Sequence, residues 1–82
     1  MTDVVVVTGA ASGIGEELAR SLAREWTVVA ADLPERLAEL ELAAAEHGFV
    51  AVGADVSRPQ DVEALFEHAR QTRRSIQRPR RR

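Results

Sequence analysis

Gly9, Gly13 and Gly15 are three of the chain's five glycines. They sit together where a run of four valines, Val4 to Val7, gives way to a helical pattern. Small residues crowded between a strand and a helix suit one kind of chemistry, the holding of a phosphate or pyrophosphate. The first amides of a helix have no partner within it and lie at the positive end of its dipole, so an anion placed there accepts them. Side chains would block the approach, and the stretch TGAASGIG, Thr8 to Gly15, has no large one before Ile14. In this arrangement Gly9 permits the tight turn and Gly13 lets backbone come close. Gly15, one turn into the helix, lets the helix pack near the strand. The spacing is Gly-x-x-x-Gly-x-Gly, not the common Gly-x-Gly-x-x-Gly, and the absence of lysine excludes a P-loop. Taken alone, such a turn is equally an ordinary strand–helix connection.

A second residue bears on the choice. An acid about 20 residues further on, at the end of the second strand, can accept hydrogen bonds from ribose hydroxyls. Asp32 stands 17 residues after Gly15. A carboxylate there repels a 2′-phosphate and so favours NAD over NADP, with Arg36 nearby as an opposing influence. Asp32 also suits a helix N-cap before Pro34, a role that can coexist with ribose binding. Asp55, in the loop Asp55-Val56-Ser57, reads either as a solvated loop acid or as a third contact to the same ligand.

The elements that must position these residues follow from the apolar pattern. Asp3 to Thr8 reads as a strand whose unbroken valines suit burial on both faces of a parallel sheet. A helix follows from Ser12 or Gly13 to Arg24, with Ile14, Leu18 and Leu22 as its apolar stripe. Trp26 to Ala31 is a second strand. Pro34 opens a second helix striped by Leu37, Leu40 and Ala44, and Gly48 stops it. Phe49 to Val52 is a third strand. Ser57 is placed to cap a third helix with Pro59 in its first turn and Val62, Leu65, Phe66 and Ala69 as its stripe. The order β-α-β-α-β-α predicts an α/β fold: three parallel strands in the order 3-2-1, with three helices.

At 82 residues the chain is at most one small domain, and its composition, 45% hydrophobic and 29% charged, is that of a soluble globular protein. Cysteine is absent, which excludes disulfides and thiolate metal sites. His47 and His68 have no metal-ligand pattern around them and read as surface residues; Trp26 reads as packing. No apolar run reaches bilayer length and no secretory signal is visible, so the cytoplasm is expected.

The net charge of −2 hides a division. Residues 1–72 carry five arginines against thirteen acids; residues 73–82, RRSIQRPRRR, carry six arginines and no acid. The expected organisation is an ordered unit over 1–72 and an Arg-rich disordered tail over 73–82. Three origins suit the tail: contact with nucleic acid or an acidic partner, a solvated segment, or translation out of frame. The third is favoured. The pattern breaks after Thr72, just where a fourth strand is due. The many alanines and arginines, with no lysine, tyrosine or asparagine, imply GC-rich coding DNA.

TGAASGIG (Thr8 to Gly15), Asp32 and DVS (Asp55 to Ser57), in this order, resemble the short-chain dehydrogenase/reductase family, whose motif here is Thr-Gly-x-x-x-Gly-x-Gly. The resemblance covers residues 3–72. It implies a partial Rossmann, doubly wound fold and an NAD(P)-dependent oxidoreductase acting on alcohols or carbonyls. It implies that the glycine turn holds the pyrophosphate, the acid after the second strand the ribose, and the Asp-Val after the third strand the adenine. Those cofactor-binding roles fall on Gly9, Ser12, Gly13, Ile14, Gly15, Asp32, Asp55 and Val56. The family also implies a fourth strand with an Asn-rich turn, then a catalytic Ser and a Tyr-x-x-x-Lys pair. Residues 1–82 hold no Tyr, Lys or Asn. No catalytic residue and no metal ligand is therefore assigned, and the chain alone is expected to be inactive. With no fourth strand beside it, the first strand is expected to be an open edge and a route to self-association. The alternative expectation is a small binding protein acting through the Arg tail.

Overall fold

The computed structural model describes residues 3–77. Three strands, β1 (Val4–Thr8), β2 (Thr27–Asp32) and β3 (Val50–Gly53), form one parallel sheet with β2 in the middle. This is the expected 3-2-1 order. Helix α1 (Gly13–Leu22) joins β1 to β2. A 3-10 turn, Pro34–Arg36, and helix α2 (Leu37–His47) join β2 to β3, and helix α3 (Pro59–Gln77) follows.

Alternation along each strand divides the core in two. Val5, Val7, Val28, Ala30 and Ala51 face α1 and α2, where they meet Ala19, Leu22, Leu40, Ala44 and Phe49. Val4, Val6, Val29, Ala31, Val50 and Val52 face α3 and meet Leu65 and Ala69. Both faces of β2 are covered, which explains why its run is apolar throughout. Trp26 packs at the margin of the first cluster. Gly48 closes α2, its amide donating to the Ala44 carbonyl at 2.8 Å.

Among the described residues β1 pairs only with β2, so its outer edge is open, and Val4, Val5 and Val6 are only half-buried. No helix among the described residues is long and apolar enough to cross a membrane.

Four expectations need correction. The face of α1 that packs inward is Gly15, Ala19, Leu22 and Ala23; Ile14 is 88% exposed and Leu18 47% exposed. Gly15 sits on the inward face in tight contact with the turn before it, and Ile14 and Leu18 point away from the sheet. Ser57 does not cap α3: its hydroxyl donates to Asp55 Oδ1 at 2.7 Å. Phe66 lies outside the buried stripe of α3, at 49% exposure.

The last correction concerns the tail. Helix α3 runs through Thr72 to Gln77, so residues 73–77 are helical, not disordered. Arginine is a good helix former. Local bonds sustain the helix: Glu67 accepts from Arg70 and Arg74, and the Thr72 hydroxyl donates to the His68 carbonyl at 2.9 Å. The rest of the basic segment, 78–82, lies outside the described residues.

Candidate functional site

The C-terminal ends of the three strands come together at one edge of the sheet, and the expected residues sit there. Two backbone bonds extend the ladder past the strands: Ala10 donates to the Ala31 carbonyl at 3.0 Å, and Ala54 donates to the Asp32 carbonyl at 2.8 Å. The turn after β1 and the loop after β3 are thereby tied to the end of β2.

Within the turn, Gly9 and Gly13 hold φ of 69° and 65°, left-handed values that disfavour any side chain. A Cβ at either position would meet nothing within 4 Å, so both backbones face open space from which a ligand can approach. Gly15 does the opposite. A Cβ there would overlap the Gly9 carbonyl oxygen and lie 2.7 Å from the Gly9 carbonyl carbon. Gly15 therefore packs against the turn itself, not the strand as its spacing suggested. Ser12 occupies the N-cap of α1 in extended conformation, yet its side chain makes no capping bond. The first amides of α1 therefore have no side-chain partner at the end of the helix where an anion is favoured. This cradle fits a phosphate group: open above two glycines, closed beneath the third.

Asp32 is bound from two sides. Its Oδ2 accepts the Ala11 amide at 2.8 Å, and its Oδ1 accepts the Leu33 amide at 2.7 Å. The Ala11 amide is the main reason that its carboxyl lies below the usual carboxylate range, against the opposing effect of burial; the Leu33 amide and the Arg36 charge add to the lowering. Asp32 is therefore ionised at neutral pH, acceptor-only, and fixed in orientation, with lone pairs left for a hydroxyl-bearing ligand.

A cavity of about 340 Å³ opens beside it, lined by Thr8, Gly9, Ala31, Asp32, Leu33, Ala54 and Val56. It brings together Gly9, Asp32 and Val56, one residue from the end of each strand. Ser12, Gly13, Ile14, Gly15 and Asp55 do not line it; the first four border the cradle at the head of α1. The Asp55 carboxylate is turned to Ser57, accepting its amide at 3.0 Å and its hydroxyl. The hydroxyl is the main cause of the lowered Asp55 carboxyl. The Asp55 amide donates to Asp61 Oδ2 at 2.9 Å. Asp55 thus shapes the loop, while Val56 forms a wall.

Sequence pattern did not single out Thr8, Ala31, Leu33 and Ala54 as walls, nor Ala11 as the partner of Asp32. The walls are small or apolar residues with no chemical signature; only their adjacency to Gly9, Asp32 and Val56 marked them. No cluster of three or more potential metal ligands occurs among the described residues.

A parallel β-α-β-α-β unit with a glycine turn after its first strand and an acid after its second is the mononucleotide-binding half of a doubly wound fold. A sequence model described as short chain dehydrogenase matches residues 3–77, and the chain belongs to that family. The match extends five residues beyond the break expected at Thr72, as α3 does. Among solved structures, the chain is 38% identical to a 3-ketoacyl-(acyl-carrier-protein) reductase from Brucella melitensis complexed with NADH, with a TM-score of 0.76 over 85% of this chain. It is also 38% identical to the KRED1-Pglu enzyme, with a TM-score of 0.66 over 85% of this chain. A short chain dehydrogenase/reductase family protein is 38% identical, with a TM-score of 0.68 over 82% of this chain. The chain spans under a third of each relative: 29%, 30% and 29% of their lengths respectively. No curated protein sequence matches it significantly.

Proposed function

We propose that residues 3–77 form the adenosine-diphosphate half of a nicotinamide dinucleotide site, in an oxidoreductase of the short-chain type acting on alcohols or carbonyls. The observation that carries the reading is the meeting of Gly9, Asp32 and Val56 in one cavity, with the open amide cradle of α1 beside it. The NADH-bound relative of the same fold supports the choice of ligand.

The residues divide the work by chemistry. The backbone around Gly9, Ser12 and Gly13, with the amides of Ile14 and Gly15, holds the pyrophosphate. The ionised Asp32, held in place by two amides, accepts from the ribose hydroxyls. Val56 and Ala54 provide an apolar wall for adenine, with Asp55 holding the loop that carries them. When bound, the dinucleotide supplies the hydride donor or acceptor. The residues of this chain bind and orient it. They contain no Tyr or Lys for proton transfer, so the 82-residue chain by itself binds without turnover.

Asp32 makes NAD the preferred cofactor. A 2′-phosphate would place a dianion against a fixed carboxylate, which is repulsive in a half-buried setting. Calorimetric titration tests this: NAD binds more tightly than NADP, and Asp32→Ser narrows the gap. Equal binding of the two by the parent chain defeats the assignment. The arginine-tail alternative gains no support from the described residues: Arg73 faces Asp3 at 3.9 Å and Arg74 pairs with Glu67 at 3.4 Å.

A further inference from the structure

Among the described residues, Arg36 is the cation whose charge reaches Asp32 at that end of the cavity, and so the one that could reward a 2′-phosphate. Its amide donates to the Leu33 carbonyl at 2.8 Å, which keeps it within one 3-10 turn of two residues that line the cavity, Asp32 and Leu33. Its charge also reaches Asp32, as a smaller influence on that carboxyl than the Ala11 amide. Yet its guanidinium is already engaged. Nε and Nη2 both donate to Glu39 Oε1, at 3.2 and 3.0 Å. The two residues lie three apart across the start of α2, the spacing at which helical side chains meet.

We infer that Glu39 is a positioning residue for cofactor choice: by holding Arg36 it withholds that guanidinium from a 2′-phosphate and so reinforces the discrimination by Asp32. The inference rests on the dinucleotide reading above. It adds a residue outside the cavity that acts on specificity through Arg36. A phosphate dianion and the Glu39 carboxylate compete for the same donors. Arginine prefers a fork-like acceptor of either kind, so removing one competitor frees the donor for the other. The pair is exposed, with side chains 40% and 63% accessible, so the effect is modest.

The test compares two ligands that differ only at the 2′ position. Adenosine 5′-monophosphate and adenosine 2′,5′-bisphosphate are titrated into the 82-residue chain, followed by amide and arginine Nε–H resonances. In Glu39→Gln, affinity for the bisphosphate rises about two- to fivefold, the range expected for releasing an exposed ion pair, while affinity for the monophosphate stays unchanged. The Arg36 Nε–H resonance moves with the bisphosphate. Adding Arg36→Ala to Glu39→Gln removes the gain, which separates release of Arg36 from loss of a negative charge. An unchanged ratio of the two affinities in Glu39→Gln, or a gain that survives Arg36→Ala, overturns the inference while leaving the site intact. If neither nucleotide moves resonances of Gly9 to Gly15, Asp32 or Val56 in the parent chain, the site itself fails, and the inference with it.

Discussion

Replacing Asp32 by alanine removes more than a ligand contact. The Asp32 carboxylate ties the glycine turn to the end of β2 through the Ala11 amide at 2.8 Å, across 21 residues of sequence. Without it the Ala11 amide, in a half-buried turn, loses a charged acceptor. Hydrogen bonds to charged groups contribute about 1.5–3 kcal/mol. The partial exposure of Asp32 argues for the lower end, and water can replace the bond to the exposed Leu33. The expected loss is therefore about 1.5–2 kcal/mol. In a domain of 60–100 residues, 1 kcal/mol shifts Tm by about 4–8 °C, so Asp32→Ala lowers Tm by about 6–16 °C at neutral pH. Circular dichroism melting of dilute protein reads this directly. Asp32→Asn, which keeps an acceptor but no charge, falls between. A Tm for Asp32→Ala within about 2 °C of the parent refutes the idea that this carboxylate organises the turn.

Three further outcomes follow from the same geometry. Gly15→Ala forces a methyl into the Gly9 carbonyl, a backbone group that cannot step aside; it costs about 1–3 kcal/mol, and chemical denaturation registers a lower midpoint. Asp32, Asp55 and Glu67 all have lowered carboxyl pKa values in the folded chain, from the Ala11 amide, the Ser57 hydroxyl and Arg70 respectively. Their contribution is therefore complete above the ordinary carboxylate range and is lost as pH falls through the folded values. Melting followed against pH should be level from about pH 5.5 to 7 and decline below about pH 4; a decline that began above pH 6 would contradict this. The open edge of β1 should drive association, seen as a sedimentation coefficient that rises with concentration, whereas a strictly monomeric boundary at all concentrations counts against it.

Much of the fold was legible because it is written in the apolar pattern. The unbroken valines Val4 to Val7 and the apolar run Trp26 to Ala31 announce strands of a parallel sheet, and Leu37, Leu40 and Ala44 announce one face of α2. The roll of α1 was not legible. Pattern alone favours the large residues Ile14 and Leu18, whereas the inward face carries Gly15, in contact with the turn, and the small residue Ala19. The Ser57 cap was misread because a nearer acceptor, the Asp55 carboxylate, takes its hydroxyl. The length of α3 was misread because a run of arginine looks like a tail until its pairing with Glu67 is seen. In the candidate site, glycine spacing and the position of Asp32 were readable. The bond from Ala11 to Asp32 was not, since nothing in either residue's neighbourhood marks a partner 21 positions away.

The central claim is that the strand ends of this chain hold an adenine dinucleotide. The most direct measurement is amide chemical-shift mapping of the 82-residue chain titrated with NAD. The account predicts saturable shifts concentrated at Gly9 to Gly15, Asp32, Leu33 and Ala54 to Val56, abolished by Asp32→Ala under conditions where that variant remains folded. Shifts confined to other surfaces, or none at millimolar NAD in a folded chain, would contradict it.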